Sequence, residues 1–226
     1  MKNPRTGSGI ALTVTVTALC LTALSPAYAS PTPTPTPAAS TAPSAAATTQ
    51  SLVAPLKYQL SLRGQRQQTN YYCVPASASM SLSTFGISVS QPTLAKKMKT
   101  TPSGGTKRTN ALPVVSAYVR SRGYKYTVPA DTAGNSFLLM SRVANNVGQL
   151  HRAPLLGVWM EQLPWNKGKV KGTKVGHAII AYGYDKMAGT ITVYDPWKPT
   201  GGTHTITAST LAGILQPGGM YYISKL

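Results

Sequence analysis

Residues 176–195 read Gly176-His-Ala-Ile-Ile-Ala-Tyr-Gly-Tyr-Asp185-Lys-Met-Ala-Gly-Thr190-Ile-Thr-Val-Tyr-Asp195. Two runs rich in β-branched and aromatic residues flank a segment that begins with Asp185 and ends with Gly189, both turn formers. The pattern predicts an antiparallel hairpin. Its register has two natural settings. If Tyr184 faces Ala188, His177 lies opposite Asp195 on the same face; if Tyr184 faces Gly189, His177 lies opposite Pro196. Either way the open end of the hairpin brings an imidazole beside a carboxylate. A carboxylate in that position fixes the imidazole tautomer and stabilises the imidazolium.

Around this hairpin the remaining strands are expected at Lys57–Leu62, Tyr124–Val128, Pro154–Met160, Thr203–Thr207 and Met220–Ser224. Helical periodicity dominates earlier. Val74, Ala78, Leu82 and Phe85 recur at helical spacing from Cys73 onward, and Gly86 is a fitting stop. Ser90-Gln-Pro has the form of a cap with proline in the first turn, opening a helix to about Met98. Helices are also expected at Asn110–Arg122 and Asn135–Leu150. Helices first and a mostly antiparallel sheet later imply an α+β fold.

The titratable inventory is small. Against 22 Lys and Arg there are four acids (Asp131, Glu161, Asp185, Asp195), with three histidines and two cysteines, for a net charge of +18. Four acids cannot build an EF-hand ligand set or a carboxylate-bridged two-metal cage. The histidines and cysteines leave little for zinc, so no cofactor is expected. Asp185 reads as a turn residue; Asp131 and Glu161 read as surface charges. His151 and His204 have no acid near them in sequence and read as structural or solvated.

The N-terminus reads as an export signal. Lys2 and Arg5 precede an apolar run from Ile10 to Leu24, and Ala27-Tyr28-Ala29 gives a small-x-small cleavage pattern. The run is too short to span a bilayer, and Pro26 follows it. Residues 1–29 are expected to leave with Cys20, with Ser30 as the new N-terminus and a secreted product. Residues 30–56, rich in Pro, Thr and Ala, are expected to form an extended disordered linker. The domain is expected at 57–226. It carries every basic residue but Lys2 and Arg5 and all four acids, hence sixteen net positive charges.

After cleavage Cys73 is the single cysteine, so an internal disulfide is excluded. It is either a packed apolar residue or a reactive thiol. Its place at a predicted helix N-terminus, where unpaired N–H groups stabilise an anion, favours the thiolate. The same N–H groups, with the side-chain amide of Gln67 six residues upstream, would bind an oxyanion.

Gln67-Gln-Thr-Asn-Tyr-Tyr-Cys73-Val-Pro-Ala-Ser-Ala-Ser-Met80, with Gly176-His177-Ala-Ile-Ile-Ala-Tyr-Gly-Tyr-Asp185 and Val193-Tyr-Asp195-Pro-Trp197, resembles the papain-like cysteine peptidases related to the bacteriocin-processing, double-glycine peptidases. The resemblance covers essentially the whole domain. It implies a papain-like fold with Cys73 as nucleophile, His177 as base, Asp195 as orienter and Gln67 in the oxyanion hole, with Gln68 as the alternative if the loop register differs by one. It also implies acyl transfer to water, or to an amine, through a thioester. The family often carries Gly directly after the cysteine; this chain has Val74.

Lys167, Lys169, Lys171 and Lys174 lie just before His177. They form either a solvated basic loop or a positive wall for an anionic partner such as an anionic surface polymer. Those lysines and Trp197 are the candidate substrate-binding residues. A monomer is expected, and no nucleic-acid partner. Three readings stand: a secreted thiol peptidase acting on peptides or proteins, a cell-wall peptide endopeptidase or amidase, and a non-catalytic cationic binding module on the same fold.

Overall fold

A computed structural model describes residues 53–226, so the expected signal peptide and most of the expected linker lie outside the described residues. The described residues open with a short strand β1 (Lys57–Gln59), then run through helices α1 (Cys73–Ser83), α2 (Gln91–Lys97) and α3 (Arg108–Arg120). β2 (Tyr124–Thr127) and α4 (Ser136–Val143) follow. β3 (Leu155–Trp159), β4 (Gly176–Asp185), β5 (Thr190–Asp195) and β6 (Gly202–Thr207) come next, and α5 (Ala208–Ile214) runs directly into β7 (Leu215–Lys225). The fold is α+β, as the element order predicts.

The sheet order is β2-β7-β3-β4-β5-β6, and all its pairs are antiparallel. β1 pairs with β4 at Gly183–Asp185, beyond the point where β3 ends. Both sheet faces are covered. Ala78, Leu82, Leu94, Val115 and Val119 of α1–α3 pack with Leu155, Tyr221 and Ile223, while Met80 of α1 meets Ile180 and Tyr182. Leu139 and Val143 of α4 and Leu211 and Ile214 of α5 pack with Ile179, Ala181, Ile191 and Val193. Each such aliphatic side chain, fully buried, contributes roughly 1.5–3 kcal/mol. β4 is therefore buried on both faces, which is why its sequence is nearly continuously apolar.

Helix ends follow the local chemistry. Ser90 Oγ accepts the Thr93 N–H and Pro92 occupies the first turn of α2. Gly86, at φ +72°, closes α1, and the Ile87 N–H returns to the Leu82 carbonyl. The expected helix at 135–150 is shortened: α4 ends at Val143 and a π-helical turn covers Ala144–Gln149. Asn146, fully buried, donates from Nδ2 to the Ile223 carbonyl and accepts the Ile223 N–H on Oδ1. A side chain paired in that way with β7 holds the widened turn in place. α5 went unpredicted because its seven residues are too few to show a period.

The hairpin register differs from both predicted settings. Asp185 pairs with Thr190 and Tyr184 with Ile191, so the turn is the four residues Lys186–Gly189. Continued unchanged, that register would place Asp195 opposite Ile180, on the face away from His177. A bulge between Ala181 and Gly183 makes Tyr182 an extra residue, and the pairs become Ala181–Val193 and Ile180–Tyr194. Extending this by one step puts Asp195 opposite Ile179, which shares a face with His177. A one-residue shift flips every side chain to the other face, so the bulge restores the facing of His177 and Asp195 that the displaced turn would have lost.

Candidate active site

Cys73 is the first residue of α1. Its N-cap, Tyr72, offers no side-chain cap, so no side chain competes for the first-turn N–H groups. Pro75 has no N–H to satisfy. The residue is half-buried and lines one cleft with His177 and Ala178, and the His177 imidazole and the backbone N–H groups of Val74 and Ala178 favour its thiolate. Ser77, one turn further along α1, donates to the Ala178 carbonyl at 3.1 Å and ties the helix start to β4.

His177, second residue of β4, is 4% exposed, and Asp195, last residue of β5, is fully buried. His177 Nε2 lies 2.7 Å from Asp195 Oδ1. With Nε2 turned to the carboxylate, Nδ1 is the ring nitrogen left for the thiol. Asp195 Oδ1 also accepts the Trp197 N–H at 2.8 Å, and Oδ2 accepts the Trp165 indole N–H at 2.8 Å.

The charges of this buried chain support one another. Burial pushes the Cys73 thiol up, but the imidazole's hydrogen bond and charge and the two backbone N–H groups outweigh it and bring it below its ordinary 9.0. Burial pulls His177 down, yet its hydrogen bonds to Asp195 and Cys73 and their charges lift it from 6.5 to about 9. Burial pushes Asp195 up, and the His177 contact, then Trp165 and the Trp197 N–H, hold it below its ordinary 3.8. These directions favour a thiolate–imidazolium pair backed by a carboxylate over a neutral thiol and imidazole.

Gln67 is 2% exposed and Gln68 is exposed, so Gln67 is the one whose side chain turns inward. Its Nε2 donates to the Thr69 carbonyl at 2.8 Å, and its Oε1 is buried without a partner among the described residues. One amide proton is left for an oxyanion. The segment is clamped on two sides. Gln67 N–H donates to the Pro196 carbonyl at 2.8 Å, Arg66 Nη1 to the Trp197 carbonyl at 2.8 Å, and Gln91 Nε2 to the Arg66 carbonyl at 2.9 Å. Gly201 completes the clamp: a Cβ there would lie 2.1 Å from the Trp197 carbonyl oxygen and 2.3 Å from that of Asp195.

A cleft of about 400 Å³ opens beside Cys73 and His177. Val74, Trp159, Gln216 and Tyr221 line it, together with Arg108 and a set of glycines that includes Gly104, Gly157, Gly176 and Gly218. Trp197 and the four lysines, expected as substrate-binding residues, do not line this cleft. Trp197 acts through its backbone. The lysines lie exposed on the loop between Asn166 and β4, and Glu161 fastens that loop by accepting the N–H groups of Lys174 (2.8 Å) and Val175 (3.1 Å). Glu161 is thus more than a surface charge. Asp131 pairs with Arg142 at 2.8 Å; Asp185 accepts the N–H groups of Met187 and Ala188, both at 3.0 Å, as a turn residue does. Among the described residues no group of three or more His, Cys, Asp or Glu is placed to hold a metal ion.

Sequence reading missed Trp165 as a partner of Asp195 and Arg108 in the cleft. Trp165 lies thirty residues from Asp195, and no periodicity connects the two.

Residues 56–216 match the family model described as the Peptidase_C39 like family. Among solved structures, the chain is similar to xylellain, a cysteine protease from Xylella fastidiosa, at 12% identity with TM-score 0.53, covering 76% of this chain and 87% of that one. It is also similar to a C39-like peptidase from Bacillus anthracis at 14% identity with TM-score 0.52, covering 75% and 97%. At such identities these two likenesses speak for the fold. No curated protein matches the chain. With the family model spanning nearly all of the described residues, the chain belongs to the Peptidase_C39 like family of cysteine peptidases, on a papain-like α+β fold.

Proposed function

We propose that this chain is an exported thiol peptidase that cleaves peptide bonds through an acyl-enzyme on Cys73. The observation that carries the reading is half-buried Cys73 beside buried His177 and Asp195 at the edge of one cleft. In this mechanism the Cys73 thiolate attacks the scissile carbonyl carbon. The Cys73 backbone N–H and the Gln67 amide hold the resulting oxyanion. His177, protonated and held by Asp195, gives its proton to the leaving amine as the C–N bond breaks and a thioester remains. Neutral His177 then takes a proton from water, whose oxygen attacks the thioester; the C–S bond breaks, the acid departs, and the Cys73 thiolate and His177 imidazolium are restored.

Export rests on the N-terminal signal pattern at residues 1–29, upstream of the described residues. Among the described residues no helix is long and apolar enough to cross a membrane.

A second reading, action on wall peptides, draws on the exposed loop carrying Lys167, Lys169, Lys171 and Lys174, which ends two residues before His177. Such a loop, with Trp197 nearby in sequence to Asp195, would hold an anionic wall polymer while the cleft takes its peptide. Incubating the exported protein with peptide libraries and with purified wall, against Cys73→Ala, tests both readings. Cleavage of peptides or of wall by wild type alone supports one or the other. Equal outcomes for wild type and Cys73→Ala overturn the enzyme and leave a binding module.

A further inference from the structure

Asp195 is held by two sets of donors. Its Oδ1 serves His177 and the Trp197 N–H, while the oxygen that His177 does not use accepts the Trp165 indole N–H. Trp165 reaches it from Pro164–Asn166, the second of two short 3-10 turns between β3 and β4. The turn is itself fixed. Asn166, fully buried, donates from Nδ2 to the Met160 carbonyl, and its Oδ1 accepts the Thr200 hydroxyl.

The indole is also pinned from its face. The His204 ring of β6 stacks on it with centroids 3.9 Å apart and planes 2° from parallel. His204 in turn is anchored by Nε2, which donates to the Thr200 carbonyl at 2.9 Å. His204 thus fixes the plane of Trp165, and that plane decides whether the indole N–H points at the carboxylate. A buried Trp commonly finds some acceptor for its N–H. Here the acceptor is the buried carboxylate that orients His177, so the bond bears on the base as well as on the fold.

We propose that Trp165, kept in plane by the stacked His204, is a positioning residue for Asp195 and through it for His177. The pair was not evident from sequence, where His204 read as structural or solvated. The inference rests on the thiol-peptidase reading above. Removing the indole N–H leaves one oxygen of a buried carboxylate without its donor, which disfavours the charged carboxylate and hence the imidazolium beside it. Removing the stack leaves the N–H present but free to turn away.

The test compares full-length exported wild type with Trp165→Phe, His204→Ala and His204→Phe. Ultraviolet absorbance of the Cys73 thiolate is followed against pH, a readout that needs no substrate, beside kcat and KM on a cleaved peptide. Loss of one charge-assisted hydrogen bond is expected to lower the thiolate–imidazolium equilibrium about tenfold in Trp165→Phe, with kcat down about tenfold and KM unchanged. His204→Ala is expected to move both in the same direction by about threefold, and His204→Phe, which keeps a stacked ring, to restore them. The proposal is overturned if Trp165→Phe titrates and turns over as wild type while losing only thermal stability. It is also overturned if His204→Phe behaves as His204→Ala. Should Trp165→Phe fail to fold, the two His204 variants decide. A wild-type thiol that titrates in the ordinary range overturns the thiol-peptidase reading itself and this pair with it, a result distinct from a normal wild type with indifferent variants.

Discussion

Asp195→Asn probes the centre of the site with almost no change of shape. The amide has one acceptor oxygen and one NH2 donor where the carboxylate had two acceptors. Asp195 receives three donors: His177 Nε2 at 2.7 Å and the Trp197 N–H at 2.8 Å on one oxygen, and Trp165 Nε1 at 2.8 Å on the other. Whichever way the amide turns, a donor faces a donor. The milder choice keeps oxygen toward His177 and Trp197 and sets NH2 against the indole, and a buried unmet donor of that kind costs about 1–3 kcal/mol in stability. The charge matters separately. Against the pull of burial, Asp195 and Cys73 together lift His177 from 6.5 to about 9, which is about 3–4 kcal/mol at roughly 1.4 kcal/mol per pH unit. If Asp195 supplies about half, its loss destabilises the imidazolium by about 2 kcal/mol, a factor of ten or more. The alkaline limb of kcat/KM should then move acidward by about one pH unit, and neutral-pH kcat/KM should fall about tenfold or more. The assay is kcat/KM against pH on a cleaved peptide, with circular dichroism to show that the variant is folded. A folded variant with both the alkaline limb and neutral kcat/KM unchanged would refute the role given to Asp195.

Other outcomes follow from the same geometry. Wild-type kcat/KM should rise with pH as Cys73 ionises below its ordinary 9.0, and fall as His177 loses its proton at about 9; the limbs belong to the coupled pair, and thiolate absorbance against pH checks them independently. The two groups should oppose each other between 6.5 and about 9. There the raised His177 loses stabilisation as pH rises while the lowered Cys73 gains it, so thermal unfolding midpoints should vary less with pH in wild type than in Cys73→Ala, where the His177 loss stands alone. Gly201→Ala would press a Cβ onto the carbonyls of Trp197 and Asp195; a cost of about 1–3 kcal/mol in denaturant midpoint is expected, together with lost activity as Asp195 shifts. Glu161→Ala removes the acceptor for two N–H groups at the base of the lysine loop; tryptic nicking at Lys167–Lys174 should quicken about tenfold, read by timed digestion and mass spectrometry.

The sequence carried the fold class because helical periodicity and strand-like runs occupy separate halves of the chain. It placed Cys73 at a helix start and His177 and Asp195 at one end of a hairpin, and each stands there in the structure. The hairpin register escaped it. Asp185 and Gly189 mark a turn, but nothing local says whether Asp185 still pairs or that Tyr182 bulges. Those two departures compensate in facing, so the right neighbours were expected from the wrong register. The π turn at Ala144–Gln149 was illegible because its cause, Asn146 pairing with Ile223, is a contact across seventy-seven residues. Trp165 was illegible for the same reason. An aromatic residue before a lysine loop shows its bulk in sequence but not the direction of its N–H. The +18 charge suggested an anionic partner and drew attention to the lysines, while the cleft itself is lined mainly by glycine and apolar side chains, with Arg108 among them.

The most direct test of acyl transfer is the intact mass of the protein, rapidly quenched after mixing with an activated peptide ester. Wild type should gain the mass of one acyl group, mapped by digestion to Cys73, and lose it again on standing in water. His177→Ala should acquire it far more slowly, and Cys73→Ala not at all. No adduct on wild type, or an adduct that Cys73→Ala carries equally, would contradict the account.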